Sequence, residues 1–138
     1  MARDRFHNAV RRGLEKQAWE ITHDPLRLEF GASDRLEIDL GAQQLLGAQR
    51  TGKKIAVEIK SFLNDSAMLD FHLALGQFLN YRLALERLDP DRMLYLAVPI
   101  VPYQSFFGRD LPQLAIQTYG LKLMVYGPQD EVILQWID

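Results

Sequence analysis

Cysteine is absent from the 138-residue sequence, which excludes a disulfide framework, a zinc–thiolate site and a thiol nucleophile. Long hydrophobic runs are also missing, since no segment reaches the roughly 18 uninterrupted apolar residues of a membrane-spanning helix. The N-terminal segment, residues 1–10, lacks the apolar core of a signal peptide. These absences predict a protein of the reducing cytoplasm that does not associate with membranes.

The sequence also lacks an excess of charge of either sign. Its 16 Lys and Arg residues against 18 Asp and Glu residues give a formal net charge of −2, without the basic excess of many nucleic-acid-binding proteins. A nucleic-acid role must therefore be argued from a specific site. Hydrophobic residues make up 48% and charged residues 25% of the chain, a globular balance. This length and composition predict one domain over residues 1–138.

The hydrophobic patterning predicts elements in the order α-β-β-β-α-β-α-β-β, from helical periodicity, strict alternation and continuous apolar runs. The predicted helices cover residues 3–20, 66–88 and 110–119. The predicted strands cover residues 26–30, 35–40, 53–60, 93–98, 121–126 and 131–137. Residues 41–52 stay ambiguous. A strand meander followed by helical crossovers predicts an α/β fold with one mixed sheet flanked by helices.

Charged side chains gather near the end of the third predicted strand. Glu58 and Lys60 project from one face of that strand, because side chains alternate along a strand. Asp39 ends the preceding predicted strand. If the two strands pair, two carboxylates and an ammonium group converge, and a divalent cation would relieve the repulsion between the carboxylates. Mg²⁺ takes oxygen ligands and often only one or two carboxylates, with water and phosphate oxygens completing its shell.

An acid followed by an acid-x-lysine motif suits the hydrolysis of phosphodiesters. A bound metal ion can acidify its water and neutralise the charge that develops on a phosphoryl group. A neighbouring lysine can orient the attacking water or stabilise that charge. The same residue types are also common without a function, because Glu58 and Lys60 could be solvated on an exposed strand face. An aspartate at a strand end, such as Asp39, is also a frequent turn former.

Gln77 and Tyr81 lie on the predicted helix that follows this strand. Residues four apart share a helix face, so the amide and the phenol point the same way. Both groups suit contact with a phosphate or with a metal-bound water. The alternative is that Tyr81 belongs to the core and that Gln77 caps a neighbouring backbone group.

These motifs on an α-β-β-β-α-β frame resemble the PD-(D/E)xK nuclease superfamily, which includes restriction endonucleases and RecB-like nucleases. The residues that carry this resemblance are Asp39, Glu58-Ile59-Lys60 and Gln77-x-x-x-Tyr81. Nearly end to end, the chain also resembles the XisH family, cyanobacterial proteins named as controlling factors for excision of the fdxN element. The stretches that carry this closer resemblance are FHNAV, WEITHDPL, IDLGAQ, KIAVEIKSF, ALGQFLNYRLALE, LYLAVP and YGLKLMVY.

The resemblance implies a restriction-endonuclease-like fold and a role in DNA rearrangement, with DNA, an XisI-like partner protein and a site-specific recombinase as partners. The resemblance to the PD-(D/E)xK superfamily, rather than that to the XisH family, implies a site that binds a magnesium or manganese ion and cleaves a phosphodiester. The implied metal ligands are Asp39, Glu58 and the carbonyl group of Ile59. The implied catalytic lysine is Lys60, and the residues that match the accessory helix motif are Gln77 and Tyr81.

The chain departs from the superfamily pattern at two points. Ile38, not proline, precedes the aspartate. Many of these nucleases also place an acid on the first helix, where Glu15 and Glu20 are candidates and His7 could substitute. Glu15 could equally be a solvated charge and His7 a half-exposed helix residue.

Two functions therefore stay open for the sequence. One is a metal-dependent DNA endonuclease. The other is a catalytically inactive nuclease-fold adaptor that binds DNA or a recombination partner, which the missing basic patch and the missing helix acid favour. Because restriction-type folds often act as dimers, so that two sites meet two strands, the resemblance also suggests a homodimer.

Overall fold

The computed structural model describes residues 2–46 and 51–138. The helices are α1 (Ala2–Lys16), α2 (Ala67–Leu88), α3 (Ile100–Ser105) and α4 (Asp110–Tyr119). The strands are β1 (Glu20–His23), β2 (Leu26–Phe30), β3 (Asp34–Ile38), β4 (Leu40–Leu46), β5 (Thr51–Ile59), β6 (Arg92–Pro99), β7 (Leu123–Gly127) and β8 (Val132–Ile137). None of the helices within this described part is long and apolar enough to cross a membrane.

Six strands form one mixed sheet in the order β1-β4-β5-β6-β7-β8. The pairs β1–β4, β4–β5 and β7–β8 are antiparallel, whereas β5–β6 and β6–β7 are parallel. The two parallel connections run through α2 and through α3 and α4, as parallel neighbours require a crossover. The predicted α/β class, a mixed sheet flanked by helices, is confirmed.

The sheet separates two apolar clusters, one on each face. Ile55 and Val57 lie in the cluster that includes the apolar side of α1, while Ala56 between them lies in the cluster beneath α2. Leu96 and Ala97 of β6 divide between the clusters in the same way. The apolar run at residues 94–98 is therefore explained by a strand that is covered on both faces, whereas Met93 at its start is 44% exposed.

The prediction of a single sheet was wrong, because β2 and β3 pair only with each other in a separate two-stranded sheet. The predicted strand at residues 35–40 is divided at Asp39. Ile38 packs in the cluster beneath α2, whereas Leu40 packs in the cluster beneath α1. Alternation would put these two side chains on one face, so the chain has to change direction between them.

The predicted helix at residues 3–20 was too long, since α1 ends at Lys16. Ala18 has a left-handed backbone with a φ of 67°. Its N–H donates to the Glu15 carbonyl at 3.0 Å, and the Trp19 N–H donates to the Leu14 carbonyl at 3.0 Å. This is the Schellman arrangement, which usually contains glycine. Because alanine occupies the position here, the sequence carries no signal that the helix ends.

The ambiguous residues 41–52 contain most of β4 and the start of β5, while residues 47–50 lie outside the described part of the chain. Gly41, within this ambiguous segment, is a strand residue. A Cβ added there would lie 3.1 Å from His23 Nδ1 and 3.3 Å from Arg92 Nη1. The glycine therefore permits the close approach of β1 to β4, and β1 itself was missed by the prediction.

Candidate functional site

Asp39 and Glu58, here called the acid pair, lie side by side where β4 begins and β5 ends. Leu40 pairs with Val57 in the antiparallel ladder, which sets Asp39 opposite Glu58 at the next position. The Asp39 N–H donates to Glu58 Oε1 at 3.2 Å. The Ile59 N–H donates to Asp39 Oδ2 at 2.7 Å. Two reciprocal backbone-to-carboxylate hydrogen bonds thus fix both carboxylates at one point of the sheet.

Lys60 faces the acid pair from the residue that follows β5. Its Nζ lies 3.4 Å from Glu58 Oε2 and also donates a hydrogen bond to the Gln77 Oε1 atom. The Lys60 backbone is held as well, because its N–H donates to the Ala97 carbonyl at 3.0 Å. The ammonium group is therefore confined between an acid on the sheet and an amide on α2.

Helix α2 carries Gln77 and Tyr81 to the same place. The helix begins after Ser66, whose Oγ accepts a hydrogen bond from the Leu69 N–H at 3.1 Å, a typical N-cap. Gln77 contacts the Lys60 side chain rather than capping a backbone group. Tyr81 is half-buried against the cluster beneath α2, as the core alternative proposed, while its phenol also lies within the electrostatic reach of the acid pair.

Burial and the nearby negative charges favour the neutral, protonated forms of the Glu58 carboxyl group and the Tyr81 phenol. Burial, then the negative charge of Asp39, raise the pKa of Glu58 from its ordinary value to about 7, and Lys60 only partly opposes this. The Glu58 side chain is 8% exposed, so water does little to screen the charges. Burial and the acid pair also raise the pKa of Tyr81, which keeps its phenol protonated at neutral pH.

Of the residues considered for the first-helix position, His7 borders the site. It lines a cavity of about 380 Å³ together with Asp39 and Ile59. His7 Nε2 lies 2.8 Å from Asp24 Oδ1, so this imidazole already has a carboxylate partner.

The two acidic candidates lie elsewhere. Glu15 is exposed on α1. Glu20 was predicted on the first helix but lies in β1, where it accepts a hydrogen bond from Gln43 at 3.3 Å. Gln43 pairs with Lys54, away from the Leu40–Val57 pair that borders the site. Within residues 2–46 and 51–138, no group of three or more Asp, Glu or His side chains is placed to hold a metal ion.

Tyr126 of β7 is a site residue that the sequence analysis missed. Its side chain is fully buried, and its hydroxyl donates to the Lys60 carbonyl at 3.2 Å. The only available signal was a tyrosine within an otherwise aliphatic strand, since a buried phenol needs a hydrogen-bond partner. That signal does not identify the partner, which lies in a distant part of the sequence.

A larger cavity of about 970 Å³ opens near the other end of β5, against Trp19, Lys54 and Trp136. Its lining includes none of the site residues predicted from the sequence. The smaller cavity borders the site through Asp39 and Ile59, and its lining does not include Glu58 or Lys60.

Comparisons with known proteins give one family. A family model described as XisH protein matches residues 1–134. The crystal structure of an XisH family protein from Nostoc punctiforme PCC 73102 is 46% identical, with a TM-score of 0.89, over 98% of this chain and 100% of that one. The structure of an fdxN element excision controlling factor protein from Anabaena variabilis is 47% identical, with a TM-score of 0.88, over 98% and 99%. No curated protein matches the chain.

Proposed function

Since the chain belongs to the XisH family, we propose that it acts in DNA rearrangement as a controlling factor for element excision, the role named for the relative from Anabaena variabilis. We assign it a restriction-endonuclease-like fold and a magnesium- or manganese-dependent site that cleaves a DNA phosphodiester. DNA, an XisI-like protein and a site-specific recombinase are the partners that this role requires. The observation that carries the proposal is the contact of the acid pair with Lys60.

The acid pair fits a divalent cation. One Asp39 oxygen, Oδ1, accepts no hydrogen bond from the described residues, and Glu58 Oε2 has only the contact with Lys60 at 3.4 Å. Each carboxylate can therefore offer an oxygen, and the Ile59 carbonyl would be an additional ligand. The raised pKa of Glu58 marks a buried carboxylate whose negative charge Lys60 compensates only in part, and a bound cation would compensate the rest. When bound, such an ion would supply an activated water and stabilise charge on the phosphoryl group.

The other side chains supply hydrogen bonds in fixed positions. Lys60, held by Glu58 and Gln77, can donate to an attacking water or to a phosphate oxygen. Tyr81 is a neutral donor beside the acid pair, because the raised pKa of its phenol keeps the proton in place. Gln77 acts as a positioning residue through its contact with the lysine.

A catalytically inactive adaptor is the second candidate, and one observation favours it. The described residues add no third acidic or histidine side chain to the acid pair. An adaptor would bind DNA or its protein partner without a metal ion. This reading predicts that substitutions in the acid pair leave binding to DNA unchanged.

Nicking of supercoiled plasmid in Mg²⁺ or Mn²⁺ tests the proposal. We expect Lys60→Ala and Glu58→Gln each to lower the rate at least about 100-fold, because the first removes a donor to the developing charge and the second removes a ligand of the metal ion. Lys53→Ala is the matched control, since Lys53 is an exposed lysine of the same strand, away from the acid pair. Equal rates for the wild type and Lys60→Ala would contradict the nuclease.

Calorimetry with Mg²⁺ separates the two candidates. The nuclease requires binding that Asp39→Asn and Glu58→Gln both abolish. A wild-type protein that neither nicks DNA nor binds Mg²⁺ through these residues would favour the adaptor.

A further inference from the structure

The outer side of α2 carries a line of exposed apolar residues. Leu69, Leu73 and Leu83 are 54%, 58% and 57% exposed. We call the line that contains them the α2 seam, in which the intervals alternate between four and three residues. Its members are Leu69, Leu73, Gly76, Asn80, Leu83 and Arg87. Alternating intervals of four and three are those of helices that pack against each other with interlocking side chains.

The α2 seam faces away from the rest of the molecule. Phe71, Phe78 and Leu85, also seven residues apart, are buried against the sheet. In a heptad they fall opposite the seam, which therefore points directly outward. Packing of α2 on the sheet thus uses one face and leaves a second face, which carries three exposed leucines, without a partner among the described residues.

We propose that the α2 seam packs against the α2 seam of a second copy of this chain, with the two helices antiparallel, and forms a homodimer. In this arrangement Leu73 meets the partner's Leu83 in two symmetry-related contacts. Leu69 meets the aliphatic stem of the partner's Arg87, whose charged end reaches water. The pattern is self-complementary, as an isologous interface requires.

The centre of the α2 seam is shaped for close approach. Gly76 has open space around it, since a Cβ added there would meet, among the described residues, no heavy atom within 4 Å apart from its chain neighbours and the nearby backbone of α2. In the antiparallel pairing Gly76 lies opposite the partner's Asn80, so the seam residue without a side chain faces an amide. A glycine inside a helix costs stability relative to alanine, and the proposed contact with a neighbouring helix would account for it.

The polar groups beside the α2 seam favour a second copy in the antiparallel direction, because an imidazole can donate a hydrogen bond to a carboxylate. His72 and Glu86, both exposed, flank the seam on the same side, seven residues either side of Leu79. Antiparallel pairing sets His72 beside the partner's Glu86 twice, at either end of the contact. A parallel pairing would instead set Arg87 against the partner's Arg87, a like-charge contact within the seam.

Sedimentation analysis of the full chain at high micromolar concentration tests the proposal. We expect the wild type to be a dimer and Leu73→Glu to weaken self-association at least about 100-fold, because a carboxylate would be buried in an apolar contact. Leu134→Glu is the matched control, since Leu134 is 53% exposed on β8, away from α2, and it should leave the dimer intact. A monomeric wild type, or a dimer that Leu73→Glu does not weaken, would overturn the inference.

The absence of cysteine permits a direct test of the helix direction. Under oxidation, chains with Leu73→Cys mixed with chains with Leu83→Cys should form a cross-linked heterodimer, because a disulfide needs its Cα atoms within about 7 Å. Leu73→Cys alone should cross-link poorly. Efficient cross-linking of Leu73→Cys to itself, without the mixed product, would overturn the antiparallel pairing. Far-UV circular dichroism checks that each variant is folded.

Discussion

Three charged side chains cluster near each end of strand β5. One cluster has two cations and one carboxylate, whereas the other has two carboxylates and one cation. Near the start of β5, two cations share one carboxylate: Lys54 Nζ lies 2.7 Å from Asp89 Oδ1, and Arg92 Nε lies 2.9 Å from Asp89 Oδ2. We call these residues the Asp89 cluster. At its end, the acid pair faces a single cation, Lys60. One cluster therefore has an excess of positive charge and the other an excess of negative charge.

The two clusters shift carboxylate pKa values in opposite directions. Burial raises the pKa of Asp89, but the hydrogen bonds from Lys54 and Arg92 outweigh it, and the pKa lies below its ordinary value. Burial and a neighbouring carboxylate raise the pKa of Glu58 to about 7. The Asp89 cluster stabilises the fold, whereas the acid pair costs stability unless a proton or a cation compensates its charge. This difference is what separates a structural ion pair from a candidate site.

The largest expected effect is on the pH dependence of stability. Because the pKa of Glu58 is higher in the folded protein, the folded state holds more protons between pH 4.5 and about 7, and the free energy of unfolding falls as pH rises through this window. The loss corresponds to about 3 kcal/mol. Glu58→Gln should remove this loss, and urea denaturation at pH 5 and pH 8 measures it.

Asp89 provides an internal control for that measurement, because its pKa is shifted in the opposite direction. Its lowered pKa contributes stability that is present above the ordinary pKa and is lost as pH falls below it. Glu58→Gln should leave this acidic limb of the stability profile unchanged. If wild type and Glu58→Gln lose stability equally between pH 5 and pH 8, ionisation of Glu58 does not destabilise the folded protein as expected.

The second largest expected effect is the decrease in stability when the Asp89 cluster is broken. Asp89→Ala leaves Arg92, whose side chain is 7% exposed, without its carboxylate partner. We expect a decrease of about 2 kcal/mol in the free energy of unfolding, less than for a fully buried pair because the Asp89 side chain is 27% exposed. Thermal and urea denaturation measure this decrease.

Asp91→Ala is the matched control for Asp89→Ala, since Asp91 is an exposed aspartate two residues away. It should change the free energy of unfolding by less than about 0.5 kcal/mol. Nicking of DNA and Mg²⁺ binding should survive in both variants. A loss of Mg²⁺ binding in folded Asp89→Ala would show that the two ends of β5 are not independent.

Local patterns were enough to predict the encounter of Asp39, Glu58 and Lys60. Alternation along β5 determines which side chains share a face, and a strand end beside it supplies the aspartate. The same reasoning could not predict that β2 and β3 leave the sheet. That outcome depends on which apolar cluster receives Ile38 and which receives Leu40, and both residues are equally suited to either.

Contacts between distant parts of the chain were also beyond prediction. Arg92 lies next to Asp89 in sequence, but its hydrogen bond to the Ile55 carbonyl, at 2.9 Å, depends on the parallel register of β5 and β6. The end of α1 was missed for a different reason, since the left-handed residue there is Ala18 rather than glycine. Sequence patterns thus predicted which side chains meet at the candidate site and missed the backbone supports around them.

The smallest expected effect concerns one of those supports. Tyr126→Phe removes the hydroxyl that donates to the Lys60 carbonyl, and we expect about 1 kcal/mol less stability with a nicking rate lowered only a few-fold, because Gln77 still holds the lysine side chain. Tyr95→Phe is the control: the Tyr95 hydroxyl bonds to Asp138, away from the acid pair, so stability should fall without a change in nicking. Equal nicking rates in the two variants would mean that Tyr126 supports the fold and does not position Lys60.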